Sequence, residues 1–343
     1  MSPAGPDRPI RVTVLDTPLR SGRMTSVDID LDSELKAHRR ELTGFCYRML
    51  GSGAEAEDAV QETYVRAWKA IDRFEGRSSV RSWLYRIANN VCIDMHRAPQ
   101  RRARPMDLGP SSTVATAVLS PQAETTFVQP IADERVIDLR GDPADITAAR
   151  ESIRLAFVAA LQHLPARQRA VLILCEVLRW QATEVAELLD TTVASVNSAL
   201  QRARATLASL EPEQLDAVLD PEHEALLERY VQAFEAYDMT ALAALLREDV
   251  VISMPPHDLW LQGIPELIGW MEGPGHGCAD SRLIPVSVNG TAGFASYKPA
   301  PSGRREPWAI QVIEVKDGRI SGHHNFLYPG LFADLGLPAY LEG

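Results

Sequence analysis

Between Ser33 and His96 apolar residues recur every three or four positions with almost no proline, which predicts a run of amphipathic helices. In EAEDAVQETYVRAWKAIDRF the apolar positions are Ala59, Val60, Thr63, Val65, Ala67, Trp68 and Ile71, and the polar face carries Asp58, Gln61, Glu62 and Arg66. A Gly-containing loop, FEGRSS, leads into SVRSWLYRIANNVCIDMHR. There Val80, Trp83, Leu84, Ile87, Ala88, Val91 and Met95 make one stripe, with Arg81, Tyr85, Arg86, Asn89, Asn90 and Arg97 largely off it. The helical period returns from Ile146 to Ser209. Ile153, Ala156, Phe157, Ala160, Leu161 and Leu164 form a stripe that ends in LPARQR, where Pro165 can open the next helix. WQATEVAELLDTTVASVNSALQRARATL then reads as two short helices around a tight turn. Val185, Ala186, Leu188 and Leu189 are the apolar positions of the first. Val196, Leu200, Ala203 and Leu207 are the buried stripe of the second, with Thr191 or Thr192 as its N-cap.

The pattern changes after Pro212. One more helix, PEHEALLERYVQAFEAYD, precedes the strand-like runs VVISM, RLIPVSVN, AGFASYK, WAIQVIEV and RISGHHNFLY, separated by turn signals such as PAPSG and KDG. A long Trp-bearing loop, MPPHDLWLQGIPELIGWMEGPG, lies among them. Two stretches lack periodicity. Residues 1–30 read as a disordered tail, within which Met24 is an alternative start, and residues 101–147 read as a flexible acidic linker. The expected organisation is therefore two all-α domains, 31–100 and 148–211, followed by an α+β domain at 213–343.

Composition narrows the chemistry. At 343 residues the chain is long for a single core, and its 45% apolar content is that of a globular protein. No run approaches the roughly 20 apolar residues that span a bilayer, and the N-terminus lacks the apolar centre of a signal peptide, so the expectation is a cytoplasmic protein without a membrane partner. Cys46, Cys92, Cys175 and Cys278 are far apart and form no C-x-x-C pair, which predicts reduced thiols, no metal site and no cofactor. A net charge of −11 argues against non-specific coating of nucleic acid. Positive charge is nevertheless concentrated around FEGRSSVRSWLYRIANN, at Arg77, Arg81, Arg86 and Arg97, and continues through Arg101, Arg102 and Arg104. Arginine neutralises phosphate, aromatic rings stack on unpaired bases and asparagine bonds base edges. Taken alone, this helix fits either single-stranded DNA or a salt-bridged surface. The second helix of the later pair is equally open. Short polar groups (Ser195, Asn197, Ser198) precede longer ones (Gln201, Arg202, Arg204), as in a recognition helix, yet packed hairpins have polar outer faces too.

EAEDAVQETYVRAWKAIDRFEGRSSVRSWLYRIANNVCID resembles region 2 of the extracytoplasmic-function (ECF, group IV) sigma-70 factors, through D-A-x-Q-E-[TV]-[FY], the Gly/Ser loop and W-L-Y-R-I-A-x-N in order. LPARQRAVLILCEVLRWQATEVAELLDTTVASVNSALQRARATL resembles sigma region 4, a helix-turn-helix. The resemblance implies a non-enzymatic subunit of RNA polymerase that directs initiation at promoter DNA. Asp58, Gln61, Glu62 and Arg66 would face the β′ clamp helices of the polymerase core. Phe74, Arg77, Ser78 and Ser79 would form the loop that receives a base flipped out of the −10 element, and Trp83, Tyr85, Arg86 and Asn90 the helix that melts and holds the strand. Asn197, Ser198, Gln201 and Arg202 would contact the −35 element, in a domain that also meets the β flap. Family members often carry Arg or Lys at the positions of Asn197 and Ala199, so fewer phosphate contacts are expected here. Asp190 fills a turn position where glycine is common. The linker, with its DERVID stretch, would thread toward the active centre. An anti-sigma factor is a further partner that the family allows.

The C-terminal pattern resembles the SnoaL-like branch of the NTF2-like superfamily, a sheet curled around an apolar cavity. The combination matches the SigG- and SigJ-type sigma subgroup, in which such a domain follows region 4. Trp260, Trp308, His323 and His324 are the candidate cavity residues, with a small ligand as their partner. Adjacent His323 and His324 on a strand must point to opposite faces, so at most one faces a cavity. The alternative reading is a SnoaL-like isomerase, hydrolase or ligand sensor tethered to DNA by a sigma-derived module.

Overall fold

The computed structural model describes residues 11–13, 26–28, 30–95, 102–210 and 221–342. In chain order the helices are α1 (Leu31–Leu50), α2 (Gly53–Ala70), α3 (Val80–Met95), α4 (Pro143–Glu151), α5 (Leu155–Gln162), α6 (Ala166–Leu172), α7 (Ala182–Leu188), α8 (Val193–Leu210), α9 (Pro221–Glu235), α10 (Met239–Leu245), α11 (Ile264–Glu272) and α12 (Gly330–Asp334). The strands are β1 (Arg11–Thr13), β2 (Ser26–Asp28), β3 (Leu246–Ser253), β4 (Trp260–Gln262), β5 (Arg282–Val288), β6 (Thr291–Pro299), β7 (Arg305–Lys316) and β8 (Arg319–Phe326). The chain forms two compact units. The first comprises residues 1–50, 55–98 and 166–203; the second comprises 51–54, 99–165 and 204–343.

The first unit is helical. Its core is built by Leu42, Phe45, Cys46 and Met49 of α1, Ala59, Val60, Thr63 and Ala67 of α2, and Leu84, Tyr85, Ala88 and Cys92 of α3. On α2 the buried stripe is thus 56, 59, 60, 63, 67 and 71, with Val65 and Trp68 outside it at 43% and 41% exposure. That corrects the expected stripe, because a helix has room for one arc of about 100° and these two residues lie beyond it. A π-helical turn at Ile173–Val177 follows α6. Thr192 is the cap of α8, its Oγ1 accepting the Ser195 N–H at 3.2 Å, and Asp190 takes φ 49° at the turn. Within residues 1–30, expected to be a disordered tail, the described part is the antiparallel pair β1–β2, in register at Val12 and Val27. The β-branched Val12, Thr13 and Val27 suit that pairing. Residues 1–10, 14–25 and 29, with Arg97 and Arg101, lie outside the described residues.

The second unit is a six-stranded sheet of order β4-β3-β8-β7-β6-β5, antiparallel except for the β3–β8 pair. Asp317 and Gly318, both at positive φ, form the KDG hairpin between β7 and β8, and Asn289 and Gly290 form a similar one between β5 and β6. One face of the sheet packs on α9, α10 and α11 through Tyr230, Phe234, Leu242, Trp270, Phe294 and Ile313. Helix α11 and strand β4 arise inside the stretch read as a long Trp-bearing loop.

Residues 102–137 contradict the expected flexible linker. They are ordered against the sheet by three short 3-10 turns and isolated bridges, with Phe127, Val128, Ile131 and Ile137 buried. These four side chains supply the apolar burial that overcomes chain entropy, and polar composition concealed them. The segment expected as one helical domain, 148–211, is divided. Its helices α4 and α5 belong to the second unit and α6, α7 and most of α8 to the first.

Candidate functional site

On α2, Asp58, Gln61 and Glu62 are exposed, and Val65 and Trp68 continue the same face at i+7 and i+10 from Asp58. The face is therefore acidic at one end and apolar at the other. Arg66 stands at its border, holding Glu62 at 2.7 Å and Asp94 at 3.0 Å. Sequence reasoning counted Val65 and Trp68 as core and so did not place them on this exposed face.

The residues expected at the −10 element divide by accessibility. Arg77, Ser79, Arg86 and Asn90 are exposed, Ser78 and Trp83 half-buried, and Phe74 and Tyr85 buried. Phe74 packs against Trp83 at 4.9 Å between ring centroids and so forms the base of the loop. Gly76 turns that loop with φ 66°, and Arg77 pairs with Glu75. Tyr85 is 0% exposed, with Phe45 on one side at 5.3 Å and Trp180 on the other at 5.0 Å. Burial pushes the Tyr85 phenol far above its ordinary value. Tyr85 is thus packed in this structure, between Phe45 and Trp180, and offers no surface to a base there. Its position off the main stripe of α3 is covered because Trp180 closes over it.

Several further contacts lie beside that ring pair. The Arg81 guanidinium sits 4.8 Å over Trp180 and is held through Nε and Nη2 by Glu41 at 2.8–3.0 Å. Arg86 donates from Nη2 to the Glu187 carbonyl at the end of α7, at 2.9 Å. Arg169 of α6 is fully buried and donates to the Met49 carbonyl at the end of α1. Both arginines place positive charge at the negative end of a helix dipole. By contrast Asn197, Ser198, Gln201 and Arg202 are exposed on one face of α8, while Val196, Ala199 and Ala203 are buried behind them. Ala199, compared above with family cations, lies on the buried side.

In the second unit the four candidate cavity residues do not meet. Trp260 donates from its indole to the Gly109 carbonyl at 2.9 Å, and Trp308 lies under Lys298 at 3.3 Å. His323 and His324 point to opposite faces. His323 faces the helices, where its Nε2 lies 3.0 Å from the Tyr230 hydroxyl, which itself donates to Gln311 Oε1 at 2.8 Å. With its one proton given to Gln311, that hydroxyl accepts from His323 Nε2–H. Burial, with a smaller contribution from His324, pulls the His323 pKa down to about 3. His324 lies between Ser253 Oγ at 2.8 Å and Glu314 Oε2 at 3.2 Å. Burial pushes Glu314 up, but His324, Arg104 and Arg154 together hold it below the ordinary carboxylate range. Gly322 makes room for this pair, since a Cβ there would stand 2.7 Å from His324 Nε2. The recess beside His324 is about 10 Å³, the space of one water, and Ala103, Pro105, Val128 and Leu155 line it. Ser253, Glu314, Tyr230 and Gln311 were not legible as partners, since each is distant from the histidines in sequence or separated by a sheet register.

The β5–β6 turn grips the chain on both sides of α4. Asn289 is fully buried; its Oδ1 accepts the Ile131 N–H at 3.0 Å and its Nδ2 donates to the Ile153 carbonyl at 2.7 Å. Asp133, within DERVID, accepts from Ser287 Oγ and the Gly290 N–H, both at 2.8 Å, with Arg150 at 3.7 Å. Burial pushes its carboxyl up against those hydrogen bonds and the Arg150 charge. A Cβ on Gly290 would lie 2.4 Å from the Arg150 carbonyl oxygen, so only glycine permits this approach. Among the described residues no helix is long and apolar enough to cross a membrane, and no acid, His or Cys cluster is arranged for a metal ion.

The family description Sigma-70 region 2 matches residues 35–102, Sigma-70, region 4 matches 154–207, and SnoaL-like domain matches 227–323. The chain is 42% identical over 314 residues to the ECF RNA polymerase sigma factor SigG of Mycobacterium tuberculosis, covering 90% of this chain and 84% of that one. It is 25% identical over 312 residues to SigJ of the same organism, covering 88% and 92%. The crystal structure of SigJ superimposes with a TM-score of 0.59 at 24% identity, covering 90% of this chain and all of that one, a likeness of fold.

Proposed function

Because the chain belongs to the ECF sigma factors of RNA polymerase, those with a SnoaL-like C-terminal domain, we propose how its faces divide the work of promoter-directed initiation. The α2 face of Asp58, Gln61, Glu62, Val65 and Trp68 docks on the polymerase core, at the β′ clamp helices. The carrying observation is that two large apolar side chains stand exposed beside acids on one helical face, the composition of an interface rather than of a solvated surface. The loop from Phe74 to Ser79, with Trp83, Arg86 and Asn90, engages the −10 element. Asn197, Ser198, Gln201 and Arg202 read the −35 element in the major groove, while the body of region 4 meets the β flap.

The SnoaL-like domain regulates this activity by its hold on the segment between regions 2 and 4, through Asn289 and the burial of Asp133. It acts as a binding and packing module. The histidines that an isomerase or hydrolase would use lie on opposite faces of the sheet, His323 bonded to Tyr230 of α9 and His324 to Ser253 of β3, beside side chains that fill the space. The protein works where RNA polymerase does, in the cytoplasm, with or without an anti-sigma factor.

The test is pull-down of the full chain on core polymerase, followed by run-off transcription from genomic promoter fragments. Replacing Asn197, Ser198, Gln201 and Arg202 together by alanine leaves core binding intact and removes promoter-specific transcripts. Transcripts that persist unchanged would remove α8 from the reading.

A further inference from the structure

We propose that Val193, the first residue of α8, reads the 5-methyl group of a thymine in the −35 element. The proposal rests on the reading that the α8 face meets that element, and it adds one specificity-determining residue with its base chemistry. Among the described residues of the first compact unit, the exposed large apolar side chains are Val65, Trp68 and Met95, on α2 and α3, and Val193 on α8, at 40% exposure. The outer face of α8 consists of two rows with a spacing of four. Val193, Asn197 and Gln201 form one row, Ala194, Ser198 and Arg202 the other, and all of them are exposed. Each row begins with an apolar residue and continues with polar ones. Val193 therefore extends the line of the two carboxamides and is not a stray surface valine.

A helix start that faced only water would be built differently. Acids in the first turn favour the helix dipole, and valine is a poor helix former. The first turn of α8 nevertheless carries no acid, and it opens with valine and alanine. The start is fixed there, because Thr192 Oγ1 accepts the Ser195 N–H at 3.2 Å. A neutral, apolar first turn suits a groove walled by phosphates, which an acid would repel. The N-terminal residues of a recognition helix are the ones that reach base edges. From Val193 to Gln201 the row runs about 12 Å, the length of three to four base steps. Along it Asn197 and Gln201 carry the amides that bond adenine N6 and N7. A side chain that ends only in methyl groups tells bases apart through an apolar contact, and of the four bases thymine alone offers a methyl in the major groove.

The test uses holoenzyme formed from the full chain and core polymerase, with a promoter duplex recovered by run-off transcription. In a second duplex every thymine of the −35 element, on both strands, is replaced by deoxyuridine, which removes the methyl and keeps the base pair. Unmutated holoenzyme should bind this duplex about fourfold more weakly, the worth of one buried methyl. Holoenzyme carrying Val193→Ala should bind both duplexes alike, at the weaker level. Equal binding of the two duplexes by the unmutated holoenzyme overturns the methyl reading, as does a recovered −35 element without thymine on either strand. A loss on deoxyuridine that persists in Val193→Ala overturns the assignment to Val193. The first comparison needs no variant, so it decides the matter even where Val193→Ala fails to fold. A third duplex with a scrambled −35 element tests the underlying reading separately. Binding to it as tight as to the intact promoter would overturn the −35 role of α8 itself.

Discussion

Buried and neutral, His323 should make the C-terminal domain sensitive to mild acid. Its folded pKa is held near 3, against 6.5 in an unfolded chain, so between those values the unfolded state binds the extra proton. The sign follows directly. The stability contributed by keeping His323 neutral is present above pH 6.5 and is lost as pH falls. At pH 5.0 the unfolded ring is about 97% protonated and the folded ring almost wholly neutral, which costs about 2 kcal/mol relative to pH 7.5. The result is insensitive to the folded pKa, which needs only to lie well below 5. The comparison protein is His323→Gln, whose amide N–H can still donate to Tyr230. Urea unfolding of the C-terminal transition at pH 7.5 and 5.0 in both proteins cancels the titrating groups that do not interact with His323. The unmutated chain should lose about 2 kcal/mol more than the variant across that range. Equal losses in the two proteins, or an imidazole NMR signal from His323 that titrates near its ordinary value, would refute the buried neutral ring.

Two further outcomes are expected. Asn289→Ala removes two buried side-chain hydrogen bonds and puts alanine at φ 53°, so the C-terminal transition should lose about 2–3 kcal/mol and thermolysin should cut within residues 102–137 sooner. Trp68→Ala should weaken core polymerase binding about tenfold in a fluorescence titration. Its unfolding free energy should stay within about 0.5 kcal/mol of the unmutated chain, as expected for an exposed position.

Element types were read well where the period was strong. All five strand runs form strands, and the two-helix pattern at 182–210 with Thr192 as cap is as the spacing predicts. What the spacing could not show is what lies on the far side of an element. Tyr85 looked outward because its helix carries one strong stripe, but a tryptophan 95 positions later covers it. Val65 and Trp68 looked inward because they are apolar, yet they fall beyond the arc that three helices can bury. The segment 102–137 looked flexible because its few anchors, Phe127, Val128 and Ile131, are spread among polar residues. Val128 packs beside Ser253 and His324, and Ile131 bonds Asn289, all more than a hundred residues further on. Local pattern reports period and composition, whereas each of these errors concerns a contact that only the closed fold creates.

The grip of the β5–β6 turn bears on how this protein can be dissected. Ile131, Asp133 and Ile153 find their hydrogen-bond partners on Asn289, Ser287 and Gly290, beyond the end of region 4. A chain cut after region 4 therefore does more than shed a regulatory module. It takes both hydrogen-bond donors from the Asp133 carboxylate, leaves the Ile131 N–H and the Ile153 carbonyl without their Asn289 partners, and uncovers Val128 where it lines the recess beside His324. Loss of transcription in such a shortened chain would report a collapsed connector as readily as a missing regulator. Single substitutions on the turn keep the sheet in place and separate the two.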